Sequence, residues 1–405
     1  MDKAYDVNDI FAEMEQEVVA SYRRNMARHA AEEIKEGFKW EMWQSAKLRD
    51  LANYKKEVRK IVDKHVSRAK QVSKENLNNS IIKGAEYSDI MLKGLSKEVP
   101  SIDSFFKANR NKVDALIDAV NNDFTKAGQA ALRLSNDKFL QIIFKTEVKF
   151  SAGATSLQQA IDMAAKDFLS QGINCIQYKN GKLVNIASYA EMCLRTSAKK
   201  AYLTGEGARQ AEWGEYLAQV TSYGGCSPTC LPWQGRVYIN DVYAGGTSKD
   251  GKYPLLSFAM SGGLFHPNCR HTYQPYFEGI SELPKQEKTD EEINETYKAE
   301  QKQRGIERNI RKYKRIEEGC LYSPYQEKAS QKVKEWQQIM RDHLKENPFL
   351  TRKPYREKTY GIPPRPGEIK SLAKENLRVS KKEPMPESMK TSLYTQGMDK
   401  QKKWL

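Results

Sequence analysis

Apolar residues recur at three-to-four spacing through the first hundred positions. Ile10, Met14, Val18 and Tyr22 make one stripe, and Leu51, Tyr54, Val58, Ile61 and His65 make a second. That period marks amphipathic helices burying one face against another helix, in the chain or in a partner. Asn8 or Asp9 is placed to cap the first helix. His65 lies on the stripe, so it reads as a core or boundary histidine. Trp40 and Trp43, beside a bend suggested by Gly37, offer large apolar surfaces for core packing or for an interface. Gly94 and Glu98-Val-Pro-Ser101 interrupt the pattern. Ser101 or Asp103 then starts a helix through Phe105 and Phe106, continued by Val113, Leu116, Ile117 and Val120. The run Phe139 to Phe144 fits either a strand or a buried helix.

After Ser151 the period changes repeatedly. Thr155 or Ser156 opens a helix with Leu157, Ile161, Ala164, Ala165 and Phe168 on one face, and Gly172 stops it. Asn180-Gly181 sits between Ile176-Gln-Tyr178 and Lys182-Leu-Val-Asn185, the pattern of a two-stranded hairpin. Ser188 caps a further helix on which Met192, Arg195 and Lys199 share a face. Short strands are expected over residues 216–222, 235–239 and 271–276, with a long mobile connector at 241–252. Beyond Pro284 two charged helices follow, 291–318 and 326–345, the second with Trp336, Ile339, Met340 and His343 as its apolar face. From Asn347 the chain is rich in Pro, Lys and Arg and reads as an extended tail. The expectation is an α+β protein in four parts: a helical arm (1–150), a central domain with a small sheet (151–284), charged helices (285–346) and a basic tail (347–405).

The central domain carries the chemistry. Gly225 to Tyr276 holds Cys226, Cys230, His266, Cys269 and His271, that is, three of the six cysteines and two of the five histidines. A Cys-x3-Cys pair followed by His-x2-Cys-x-His supplies the sulfur and nitrogen donors that tetrahedral Zn2+ prefers. Prolines and glycines surround these residues, leaving little regular core in which to bury thiols. Five donors compete for four places: Cys226, Cys230, His266 and Cys269 form the first choice, with His271 as a substitute or an outer partner. The cation would staple two turns of a sheet too small to hold itself together. The same residues also fit buried small hydrophobes and a turn histidine. A catalytic Cys269–His271 pair is disfavoured, because residues two apart on an extended chain face opposite ways. Glu191 and Glu206 make no convincing carboxylate pair, and neither a Ser/His/Asp set nor a phosphate-cradling glycine loop is recognisable.

The stretches Gly225-Cys-Ser-Pro-Thr-Cys-Leu-Pro-Trp-Gln-Gly235 and Gly263-Leu-Phe-His-Pro-Asn-Cys-Arg-His-Thr-Tyr273, with Tyr189-Ala-Glu-Met-Cys-Leu-Arg-Thr196 upstream, resemble the minor capsid and head-morphogenesis proteins of tailed bacteriophages. The resemblance covers about 151–279. It singles out Arg195, Thr196, Trp233, Gly235, Asn268 and Arg270 as motif positions and implies a ligand role for His271, since relatives end the motif in cysteine. Arg195 reads either as a surface ion pair or as a group orienting the ligand loop. The resemblance implies a low-copy structural protein of the phage head, touching the portal or the major capsid protein.

A net charge of +15 from 67 Lys and Arg against 52 Asp and Glu favours polyanions, and packaged double-stranded DNA is the partner the resemblance implies. Basic residues also simply hydrate helix faces. No apolar run reaches about eighteen residues, and the N-terminal segment lacks the apolar core of a signal peptide, so the expectation is synthesis in the host cytoplasm, no membrane, and a final place in the virion. Cys175, Cys193 and Cys320 show no disulfide framework. Two rivals to a structural, non-enzymatic role are an ADP-ribosyltransferase-like or nuclease enzyme and a DNA-binding protein outside the virion.

Overall fold

The N-terminal stripes lie on three long helices, α1 (Lys3–Ala27), α2 (Trp40–Leu92) and α3 (Ile102–Ser151). The computed structural model describes residues 3–27, 40–92, 102–151, 156–178, 180–283 and 286–359. Ile10, Met14, Val18 and Tyr22 are all buried, as are Tyr54, Val58 and His65. The ambiguous run around Phe139 is helical, inside α3. Asn8 and Asp9 lie within α1 and do not cap it. Instead Asn8 Nδ2 donates to Glu191 Oε2 at 2.9 Å. The bend at Gly37, the break at Gly94 and 98–101, Thr155, the Trp40 side chain and the tail from residue 360 fall outside what is described.

Helix α4 (Leu157–Gln171) runs from Ser156, whose hydroxyl accepts from Gln159 N, to Gly172, which takes φ 68 and donates to Phe168 O. The hairpin pairs β1 (Ile176–Gln177) with β2 (Leu183–Val184), antiparallel, and Gly181 supplies the positive φ of its turn. Helix α5 (Ile186–Glu212) begins two residues before Ser188, so that serine lies in its first turn. Strands β3 (Leu217–Val220), β4 (Val237–Ile239) and β5 (Tyr273–Pro275) form an antiparallel sheet in the order β4-β3-β5. A short α6 (Leu256–Ser261) precedes the second Cys/His stretch. The charged helices are α7 (Asp290–Gly319) and α8 (Ser323–Glu346). The fold is thus mainly helical with small antiparallel sheets, an α+β arrangement. No helix among the described residues is long and apolar enough to cross a membrane.

The chain forms two compact units. One comprises Met1–Ile10, Val66–Ala127 and Ala187–Gln303; the other comprises Phe11–His65, Gly128–Ile186 and Arg304–Leu405. The first holds the three-stranded sheet. Its core is Leu203, Ala218, Val220, Tyr238, Leu256, Ala259, Leu264 and Tyr273. There α2 and α5 cross with reciprocal glycines: a Cβ on Gly84 would lie 2.1 Å from Tyr202 O, and one on Gly205 would lie 2.1 Å from Ile81 O. Only glycine lets two helix backbones approach so closely. Beyond the crossing, Arg209 Nη2 donates to Asp89 Oδ2 at 3.1 Å and Ser88 Oγ donates to Glu206 O at 2.9 Å.

In the second unit Tyr54 stacks on Phe139 at 4.1 Å, and Tyr22 meets Phe168 edge-on at 5.6 Å. Buried Glu15 accepts from Ile173 N and from Arg315 Nη1, both at 2.8 Å. Asp162, fully buried, accepts from Leu321 N and Tyr322 N at 2.9 Å and so fixes the link that leads into α8 from a distant segment. Residues 351–359 dock on α7: Lys314 Nζ donates to Glu357 O at 2.7 Å and Thr359 Oγ1 donates to Glu318 Oε1 at 3.2 Å. His65 and His343 are both buried, whereas Ile339 on α8 is exposed.

Gly84→Ala destabilises the fold by about 1–3 kcal/mol, outweighing the gain in helix propensity of ~1 kcal/mol. Gly305→Ala, in the open interior of α7 where the nearest atom to an added Cβ is Arg308 Nη2 at 3.7 Å, leaves stability unchanged or raises it. Calorimetric melting of the two variants gives opposite signs if the crossing is as tight as described. Burial pushes the Asp162 carboxyl up to about 7, against the backbone N–H groups that favour its charged form. A raised folded-state value means that the native chain holds a proton the unfolded chain has already lost. The stability owed to this group is therefore complete near pH 4 and declines as pH rises towards 7. Asp162→Asn keeps an acceptor for the N–H groups and flattens that part of the melting-temperature profile; an unaltered slope would refute the assignment.

Candidate metal centre

Two turns converge beside the β4-β3-β5 sheet. Strand β3 leads into the first, where Cys230 N donates to Ser227 O at 2.9 Å and Trp233 N donates to Cys230 O at 3.0 Å, closing a 3-10 turn over Leu231–Trp233. Pro232 suits that turn because its φ is already set. Gly235 then takes φ 70, and its N–H returns to Val220 O at 3.0 Å, which starts β4. The second turn precedes β5: Cys269 N donates to His266 O at 2.9 Å, with Asn268 at φ 67 and Phe265 at φ 58. Asparagine tolerates that conformation; phenylalanine there costs about 1–2 kcal/mol and persists only under packing. Phe265 packs on the sheet core, and the Lys199 ammonium lies 4.3 Å from its ring centre.

The turns bring Cys230, His266 and Cys269 together, with one ligand atom from each within 4.8 Å of the others. Cys230 and Cys269 sulfurs are 3.5 Å apart. The edge of a tetrahedron with metal–sulfur bonds of ~2.3 Å is about 3.8 Å, so small adjustments seat a cation. This Cys-His-Cys cluster can hold a metal ion. Cys226 is buried in the same apolar cluster as Cys230, Cys269 and Ile293, and His271 Nδ1 lies 3.3 Å from Cys269 Sγ, but neither extends the triplet. Cys269 and His271 face one another despite their two-residue separation because both precede β5, where the alternation of an extended strand does not yet apply.

Electrostatics favour a thiolate at Cys269. The Cys230 thiol donates to it and holds Cys269 well below the ordinary thiol range against burial, and the Lys199 ammonium adds to the effect. The same hydrogen bond raises Cys230, so the two thiols titrate as a pair. Burial pushes Cys226 up to about 11.

Around the donors sits a polar shell. His266 Nδ1 lies 2.7 Å from Pro267 O, and its Nε2 lies 2.9 Å from Ser227 Oγ. His271 Nε2 lies 2.9 Å from Gln234 Oε1, which also accepts from Tyr223 N at 2.9 Å. Tyr223 hydroxyl donates to Glu300 and accepts from Arg270, whose Nη1 is 3.6 Å from Glu300 Oε2. Lys199 Nζ donates to Cys269 O at 3.3 Å. Of the motif residues, Trp233 donates from Nε1 to Gly262 O at 3.1 Å. Arg195 pairs with Glu191 on its own helix, and Lys199, one turn further on, reaches the ligand loop. The hydroxyl oxygen of Thr196 is buried without a hydrogen-bond partner. Gln234, Tyr223, Ser227 and Glu300 were not singled out by spacing; none belongs to a local pattern, the first three lying on the turn between β3 and β4 and Glu300 arriving from α7.

The profile of the family described as phage minor capsid protein 2 matches residues 2–345. A structural protein of Lactococcus phage LL-H is 27% identical over 244 residues, covering 58% of this chain and 64% of that relative. A structural protein of Lactococcus phage mv4 is 30% identical over 117 residues, 27% of this chain and 95% of that relative. The chain therefore spans less than two thirds of the length of the first of these relatives. No solved structure matches it.

Proposed function

Because the chain belongs to the phage minor capsid protein 2 family, we propose that it is a minor structural protein of a tailed-phage head, seated near the portal or the inner face of the shell. Its place is the virion, as for the phage structural proteins it resembles. In this reading it acts in head assembly and in packaging or delivery of the genome. The observation that carries the proposal is the extent of the family match, which takes in the helices as well as the Cys/His turns. Exposed basic side chains on α8, among them Lys328, Lys334, Arg341 and Lys345, supply counter-charge for packaged double-stranded DNA. The long helices α2 and α3 offer extended faces to the portal or the major capsid protein.

The cation in this reading is Zn2+, held by Cys230, His266 and Cys269 with a fourth donor from Cys226 or His271. It does no chemistry and ties the two turns to one another, as structural zinc does in small folds. No reaction is assigned to the chain.

Quantitative mass spectrometry of purified DNA-filled particles tests the placement. A reproducible low copy number relative to the major shell protein is expected; absence from both mature and precursor particles would overturn it and favour a DNA-binding protein outside the virion. For the metal, about one zinc per chain should survive gel filtration, Cys230→Ser should lose it, and chelation should lower the melting temperature. A metal-free chain whose melting ignores both zinc and chelator would remove the cation from the proposal.

A further inference from the structure

Which donor completes the site can be argued from the hydrogens around it. Tyr223 N donates to Gln234 Oε1 at 2.9 Å. A backbone N–H only donates, so the amide atom facing it is the oxygen, and an amide oxygen only accepts. His271 Nε2 lies 2.9 Å from that same oxygen and must therefore carry its hydrogen. A neutral imidazole has a single N–H, which leaves the lone pair of His271 on Nδ1, the nitrogen 3.3 Å from Cys269 Sγ.

His266 obeys the same logic with its nitrogens exchanged. Its Nδ1 lies 2.7 Å from the Pro267 carbonyl oxygen and carries the hydrogen, so the lone pair is on Nε2, 2.9 Å from Ser227 Oγ. Ser227 Oγ is in turn 3.6 Å from Cys230 Sγ. Each histidine thus rests its non-coordinating N–H on an oxygen and presents its lone pair among the sulfurs. Metal-ligating histidines almost always have such an outer partner, which fixes tautomer and ring orientation. Cys226 packs in one apolar cluster with Cys230, Cys269, Ile293 and Tyr223, but no hydrogen bond ties its sulfur to theirs, whereas His271 Nδ1 reaches Cys269 Sγ at 3.3 Å.

We propose that His271, through Nδ1, is the fourth ligand of a two-sulfur, two-nitrogen metal site with Cys230, Cys269 and His266. Gln234 is its positioning residue, and Cys226 is a buried thiol outside the coordination sphere. This rests on the metal reading above and goes beyond it in naming the ligand set and the residue that sets the tautomer. Gln234 is itself buried and lies on the link from the first turn to β4, so it couples the fold of one turn to the donor of the other.

The test uses the full chain loaded with Co2+ or Zn2+. Cys226→Ser should leave metal affinity within about twofold and leave the intensity of thiolate-to-cobalt charge transfer unchanged. His271→Ala should weaken binding, and Gln234→Leu should weaken it about 10–100-fold. Gln234→Glu should restore it, because a carboxylate accepts from both N–H groups. In the unsubstituted zinc-loaded chain, ring-15N histidine spectra should show one histidine protonated at Nε2 and coordinated at Nδ1, and a second with the reverse. That readout decides the matter even if the Gln234 variants fail to fold. Loss of a third of the charge-transfer intensity in Cys226→Ser, or two histidines both coordinated through Nε2, would overturn the assignment while leaving a metal site. Failure of the unsubstituted chain to bind either ion would sink the metal reading itself.

Discussion

Two turns far apart in sequence have to be held side by side, and the backbone pairing available for this is slight. Strands β3, β4 and β5 have four, three and three residues, and each ladder hydrogen bond contributes on the order of 1 kcal/mol net. Burial contributes more, since Tyr238 and Tyr273 lie in one core with Leu203 of α5 and with Leu256 and Ala259 of α6. Even so, the Cys230 and Cys269 sulfurs sit 3.5 Å apart in a buried place. A thiolate in a buried place is costly unless something compensates its charge. A dication held there, as proposed, would relieve that cost and stiffen both turns at once.

The second unit meets a related constraint by other means. Glu15 and Arg315 are buried together, and the carboxylate also receives Ile173 N and Asn185 Nδ2. Such a pair adds little net stability against an apolar replacement, but removing one partner leaves a charge stranded, so it penalises any arrangement that separates the segments. Asp162 does the same for the junction between α7 and α8 by accepting from Leu321 N and Tyr322 N in the link between them. Both units secure distant segments with buried polar contacts.

Much of this was legible in the chain itself. Helical and strand periods, the Ser156 and Gly172 caps, the hairpin at Asn180-Gly181 and the three strands around the ligand turns all depend on residues within a few positions of one another. Local spacing records such interactions directly. The same locality explains the misplacements. Asn8 and Asp9 have capping chemistry, but α1 runs on through them because its apolar stripe is already satisfied by burial. Phe139 to Phe144 was ambiguous by period alone, and α3 settles it as helix because stacking on Tyr54 rewards the helical face.

By itself the sequence determined the helices, the strand order in the chain, the chemistry of the five donors and the family to which they belong. Tertiary structure decided which donors meet, that Gln234 and Tyr223 N stand behind His271, and that Lys199 touches the ligand loop. It also decided that α2 and α5 cross at Gly84 and Gly205, and that two compact units are each assembled from three separated stretches of chain. The division has one physical reason. Propensity, capping and turn conformation are settled by neighbours along the chain, whereas a tautomer, a helix crossing or a coupled titration is settled by atoms that only packing brings within a few ångströms.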